Sequence, residues 1–78
     1  MQFEEPLNTL DWYYLERREL QTQNGTLHAE IWRLGGAPGA DAAIARHRRD
    51  IRDNTRRIRT IDLLVGKIRL ALTSQMNV

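Results

Sequence analysis

Two apolar stripes with heptad spacing run in mirror image about one glycine- and proline-containing break at residues 35–39. If the chain folds back at Gly39, each stripe position in the first half faces one in the second half, and the two residue numbers of every pair add up to 78. An antiparallel hairpin in one constant register requires this relation. The pairs are Leu34–Ile44, Ile31–His47, Leu27–Ile51, Asn24–Asn54, Leu20–Ile58, Arg17–Ile61, Tyr13–Val65 and Leu10–Ile68. The pattern predicts an all-α fold, a long antiparallel two-helix hairpin of coiled-coil type.

The spacing predicts a first helix over about 7–34, a loop over 35–40 and a second helix over about 41–74, all in one domain of residues 1–78. Gly35 stands where a C′ glycine is expected, and Pro38 blocks continuation of the helix. Asp41 is expected to cap the second helix by accepting from the amide of Ala43 or Ile44.

The Asn24-Gly25 dipeptide competes with this interpretation, because it is a strong signal for a type I′ β-hairpin. The flank before it is mostly polar and would bury little as a strand. Helical spacing also continues through the site without a change of phase, which favours a continuous helix. A glycine inside a helix costs about 1 kcal/mol relative to alanine, so Gly25 marks a soft point.

Two polar positions on the seam carry structural predictions. Asn24 and Asn54 face each other, and a facing amide supplies both the donor and the acceptor that a buried amide needs. We interpret this pair as fixing the register, and a polar binding site is the alternative. Arg17 opposes Ile61, so its guanidinium is expected to reach Asp62 or solvent.

The chain's size indicates a partner chain. A core in a domain of fewer than about 80 residues supplies only about 3–5 kcal/mol, and such domains usually add disulfides, a metal or oligomerisation. The 78-residue sequence contains no cysteine, so we expect a homodimer that forms a four-helix bundle. The missing cysteines and the missing apolar run of about 20 residues favour a cytoplasmic protein without membrane contact.

The end of the hairpin that carries the termini is predicted to expose an apolar surface. Off-seam apolar residues there point in nearly every direction, so one partner helix cannot cover them. This surface serves either the dimer or a foreign protein. Its members are Leu7, Trp12, Tyr14, Leu15, Leu63, Leu64 and Leu70.

Charge is divided between the two halves of the chain. The residues before Gly39 hold three basic and six acidic side chains, and those after it hold nine and four, so the halves carry −3 and +5. An arginine run surrounds the second helix except at the seam. A solvated face is the simpler interpretation, and an anion or nucleic-acid contact is the alternative. The candidates for that contact are Arg48, Arg49, Arg52, Arg56, Arg57 and Arg59.

No catalytic or cofactor motif is present in the sequence. The 35–39 segment lacks the lysine of a phosphate-binding loop, and a two-helix hairpin offers no deep pocket. His28 and His47 with Glu30 nearby are the one candidate metal site, but zinc sites use three or four ligands and a second shell, so two ordinary helix histidines are the favoured interpretation. We therefore expect no enzyme activity, no cofactor and no metal.

The sequence favours a small protein-interaction module, which would act as an adaptor, inhibitor or chaperone. Compact helical hairpins of this kind occur among phage-encoded modulators of host proteins, and this comparison rests on the fold alone. The alternative function is RNA or DNA binding by a dimer through the arginine-rich second helix.

Overall fold

The computed structural model describes the backbone of residues 5–76 and the side chains of residues 9–75. This part of the chain forms helix α1, Glu5–Leu34, and helix α2, Asp41–Met76, and contains no β-strand. The two helices pack along each other in a body of 62 × 19 × 14 Å. The start of α1 contacts the second half of α2, because Leu10 shares a cluster with Ile61 and Val65. The predicted all-α hairpin is therefore confirmed.

The Asn24-Gly25 step lies inside α1, so the β-hairpin alternative is excluded. The helix spans are close to the predicted ones, but α1 begins two residues earlier and α2 ends two residues later. Pro6 falls in the first turn of α1, where its missing amide hydrogen costs no helical hydrogen bond. No glycine or proline follows Gly66, so nothing in the sequence stops α2 at Ser74.

The loop reverses the chain one residue later than expected. The amide of Gly35 donates to the carbonyl of Trp32 at 3.2 Å, so the helical turn continues through Gly35. The left-handed backbone conformation falls on Gly36, with φ of 84°, and again on Gly39, with φ of 76°. The expectation that Gly35 is the C′ glycine is therefore wrong by one position.

The predicted cap at Asp41 is also shifted. The amide of Ile44 donates to the carbonyl of Ala40 at 2.9 Å, which makes Asp41 the first helical residue and not the cap. The Asp41 carboxylate accepts no hydrogen bond from Ala43 or Ile44 in the described structure. Its negative charge instead lies in the first turn, where it complements the positive end of the helix dipole.

The hydrophobic core lies toward the open end of the hairpin, which is the end opposite the loop. Ile61 is fully buried and packs with buried Leu10 and Val65. Partly buried side chains surround these three, namely Tyr13, Leu20, Ile68 and Leu72. Toward the loop the seam residues are only half-buried. The stability of the hairpin is therefore concentrated at the same end as its exposed apolar residues.

Candidate interaction surfaces

The open end carries an exposed apolar surface, which we call the open-end patch. Its five described members are exposed by 46–69%: Trp12, Tyr14, Leu15, Leu63 and Leu70. Leu64, which the sequence also assigned to this surface, is half-buried. Leu7, the remaining assigned residue, lies outside the residues whose side chains are described.

Helical spacing sets the direction in which the patch faces. Leu63 and Leu70 are seven residues apart, and each lies two positions before a seam residue, Val65 or Leu72. Two residues correspond to about 200° around a helix, so both leucines lie on the face of α2 turned away from α1. Leu15 likewise lies two positions before the seam residue Arg17, which places it on the face of α1 turned away from α2. The patch therefore covers two opposite sides of the hairpin.

Gly66 lies between the two outer leucines of α2. A Cβ atom added there would meet no atom within 4 Å. The backbone of α2 is therefore bare at this point, and another helix can approach it closely. Leu63, Gly66 and Leu70 together make a surface on which a helix can pack.

Trp32 was missed by the sequence analysis. It lies near the loop, where the outer faces were expected to be polar, and it is 87% exposed. Its position directly after the seam residue Ile31 was the available signal, because a residue next to a seam position points off the seam. Its ring lies in the last turn of α1, far from the open-end patch in the chain.

The two seam asparagines meet in the middle of the hairpin. The Asn54 Nδ2 donates to the Asn24 Oδ1 at 3.0 Å and to the Gln23 Oε1 at 3.4 Å. The Asn24 Nδ2 donates in turn to the Thr55 Oγ1 at 3.4 Å. Both asparagines are half-buried. The contact places α1 and α2 in the register that the sequence pairs require.

Within the described residues, two ion pairs join α1 to α2. Arg17 donates from Nε to the Asp62 Oδ1 at 2.7 Å, which is one of the two outcomes expected for this residue. Arg57 donates to both carboxylate oxygens of Glu16, at 2.6 and 3.0 Å. The hydrogen bond from Arg57 holds the pKa of Glu16 below its usual value. Arg57, an anion-contact candidate, is thus bound within the hairpin.

Because Arg57 is bound to Glu16, fewer arginines of the run remain as candidates for contact with an external anion. Four members follow a spacing of three, four and three residues, which is the spacing of one helix face. We call this set the arginine stripe: Arg49, Arg52, Arg56 and Arg59. All four are exposed and form no ion pair within the described part of the chain. Arg48 is also exposed, but it lies to one side of the stripe.

The histidines do not assemble into a metal site. His47 is half-buried, and its Nδ1 is buried without a hydrogen-bond partner. Glu30 instead binds Arg33 on its own helix, and that hydrogen bond lowers the pKa of Glu30. Among the described residues, no three histidine or acidic side chains are grouped closely enough to hold a metal ion.

A shallow open groove of about 500 Å³ runs beside the asparagine pair. It is lined by Thr22, Gln23, Thr26, Leu27, Asp50, Asp53 and Asn54. Its lining combines apolar surface with hydroxyl, amide and carboxylate groups.

Comparison with family models, with curated proteins and with solved structures finds no significant match for this chain. Neither described helix contains an apolar segment long enough to cross a membrane. The candidate functions therefore have to be argued from two surfaces, the open-end patch and the arginine stripe.

Proposed function

We propose that this chain is a non-enzymatic adaptor that dimerises through its open-end patch and binds a partner protein. The observation that carries the proposal is the exposure of five large apolar side chains at one end of a thin hairpin. Large exposed apolar side chains gathered at one end of a molecule are typical of interaction sites. Tryptophan and tyrosine, both present in the patch, are favoured anchors in protein interfaces.

The size of the core supports self-association. Only Leu10, Ile61 and Val65 form the buried cluster of the described structure. Complete burial of a leucine side chain contributes about 1.5–3 kcal/mol, and most of that contribution is unused at Leu63 and Leu70, which are 69% exposed. Packing these residues against a second copy would add stability that the isolated hairpin lacks.

The outer face of α2 supports a helix-to-helix contact in the dimer. Leu63, Gly66 and Leu70 follow heptad spacing, and the glycine lets a second helix approach closely. Two hairpins joined along these faces place four helices side by side, and the four-helix bundle expected from the sequence would also need contacts from α1. Trp12 and Tyr14 lie on the sides of α1, away from this contact, and are our candidates for the partner protein's anchors.

Sedimentation equilibrium tests the dimer. We expect the wild-type chain to be dimeric at micromolar concentration and a Leu63→Gln/Leu70→Gln variant to be monomeric while its far-ultraviolet circular dichroism stays helical. Lys67→Gln is the matched control, since it alters an exposed residue in the same segment and should leave the dimer intact. A monomeric wild type, or a double variant that dimerises equally well, contradicts the proposal.

A pull-down from a lysate of the source cells tests the partner. A protein retained by the wild type should remain bound after nuclease treatment and be lost with Trp12→Ser, provided that this variant still dimerises. A partner that is lost on nuclease treatment contradicts direct protein binding.

A further inference from the structure

We propose that the arginine stripe binds the phosphate backbone of a nucleic-acid duplex. This inference goes beyond the adaptor function and does not rest on it. The stripe lies on the same outer face of α2 as Leu63 and Leu70 but nearer the loop, so Arg49 and Arg52 lie outside the proposed dimer contact at 63–70. Three observations support it. The four arginines lie on one face of α2, they form no ion pair within the described residues, and α2 is rich in arginine and contains no aromatic residue.

The stripe faces solvent on the side of α2 opposite α1. Arg49, Arg52 and Arg56 each lie two residues before a seam position, which is about 200° around the helix. The stripe extends from Arg49 to Arg59, which are ten residue steps or about 15 Å apart along the helix. Because all four arginines lie on one face, they can contact the same ligand surface at once. Arginines distributed around the whole helix could not do this.

The guanidinium groups of the stripe are free to bind an external anion. Two other arginines form ion pairs across the hairpin: Arg17 binds Asp62, and Arg57 binds Glu16. Asp53 flanks the stripe but forms no ion pair with it. Four unpaired positive charges on one face favour a ligand that carries several negative charges at short spacing.

The residue types indicate phosphate as the anion. Eight of the nine basic residues after Gly39 are arginine, and the planar guanidinium donates two parallel hydrogen bonds to a phosphate. Duplex DNA presents one negative charge per about 1.7 Å of its axis. A 15 Å stripe therefore spans enough phosphates to engage all four arginines.

The form of the nucleic acid follows from what α2 lacks. No aromatic residue occurs after Trp32, so α2 offers no stacking platform for the bases of a single strand. Contacts from guanidinium groups to phosphates position a protein on the duplex but carry no sequence information. The stripe should therefore rest on the backbone of a duplex and bind without sequence preference.

Fluorescence anisotropy with a labelled 20-base-pair DNA duplex and an RNA duplex of the same sequence tests the proposal. Four phosphate contacts predict a slope of about −3.6 in a plot of log K against log salt. Affinity should then fall on the order of 150-fold between 50 and 200 mM salt. Binding to either duplex with this slope supports the inference, and the tighter of the two identifies the natural ligand.

A pair of double variants locates the contact. Arg52→Gln/Arg56→Gln should reduce the slope by about 2 and weaken binding on the order of 100-fold at 50 mM salt. Arg46→Gln/Lys67→Gln removes the same charge from other faces of α2 and should cause a much smaller loss. Circular dichroism is recorded for each variant, so that a change in binding can be separated from a change in helix content.

Four results would overturn the inference. They are the absence of binding to both duplexes at 50 mM salt, an equal loss in the two double variants, equally tight binding of a single strand, and competition by polyglutamate at the concentrations at which unlabelled duplex competes. The last result would assign the stripe to an acidic protein surface.

Discussion

Replacing Ile61 by alanine should remove most of the hairpin's stability at 25 °C. Ile61 is the one fully buried large side chain among the described residues. Truncating a buried isoleucine to alanine costs about 2–5 kcal/mol, and a domain of this size has only about 3–5 kcal/mol in total. The smaller change Ile61→Val costs about 1 kcal/mol and should lower the Tm by about 4–8 °C.

Leu63→Ala is the matched control for this prediction. It removes a similar side chain two residues away, but from a site that is 69% exposed. Thermal and urea unfolding are followed by circular dichroism at 222 nm at low and high protein concentration. Leu63→Ala should change little at low concentration and lose stability only where the dimer forms. If Ile61→Ala melts like the wild type, or like Leu63→Ala, the placement of the core is wrong.

Two further predictions concern the backbone and the ion pairs. Gly25→Ala should stabilise α1 by about 1 kcal/mol, since the site is helical and open. Gly36→Ala should destabilise the loop, because the φ of Gly36 is positive. Thermal unfolding checks both predictions: Gly25→Ala should melt above the wild type and Gly36→Ala below it. The pKa of Glu16 is lowered by Arg57, so the pair stabilises the fold above the ordinary carboxyl pKa and loses this effect as the pH falls through the lowered value. Urea melts should therefore show Glu16→Gln to be less stable than the wild type at pH 7, with a difference that shrinks as the pH falls below the ordinary carboxyl pKa, and a difference that does not change with pH would contradict the assignment.

The sequence predicted the hairpin well because its determinants are local or periodic. The break at residues 35–39 fixed the turn, and the constant pairing sum brought Asn24 opposite Asn54, as the 3.0 Å hydrogen bond shows. The loop was predicted less accurately. Whether Gly35 or Gly36 takes the positive φ depends on one additional hydrogen bond, which spacing alone does not reveal.

The interaction surfaces were only partly predictable. The exposed members of the open-end patch could be named because each lies off the seam. The arginine stripe could not be separated from the rest of the run, because the sequence does not show that Arg57 binds Glu16. The long side chains of arginine and glutamate can reach partners that are several residues away from the position directly opposite. Which ion pair forms therefore depends on how the two helices pack.

Both proposed surfaces exist only if α1 and α2 fold back on each other within one chain. The sequence contains no cysteine, so a Glu19→Cys/Thr60→Cys variant accepts one spin label on each helix, both at exposed positions. The labelled chain, diluted in an excess of unlabelled chain, is measured by pulsed electron spin resonance. Helices packed at the usual 8–10 Å predict a label separation of about 20 Å or less. A separation near 60 Å, the length of about 40 residues of uninterrupted helix, would contradict the hairpin.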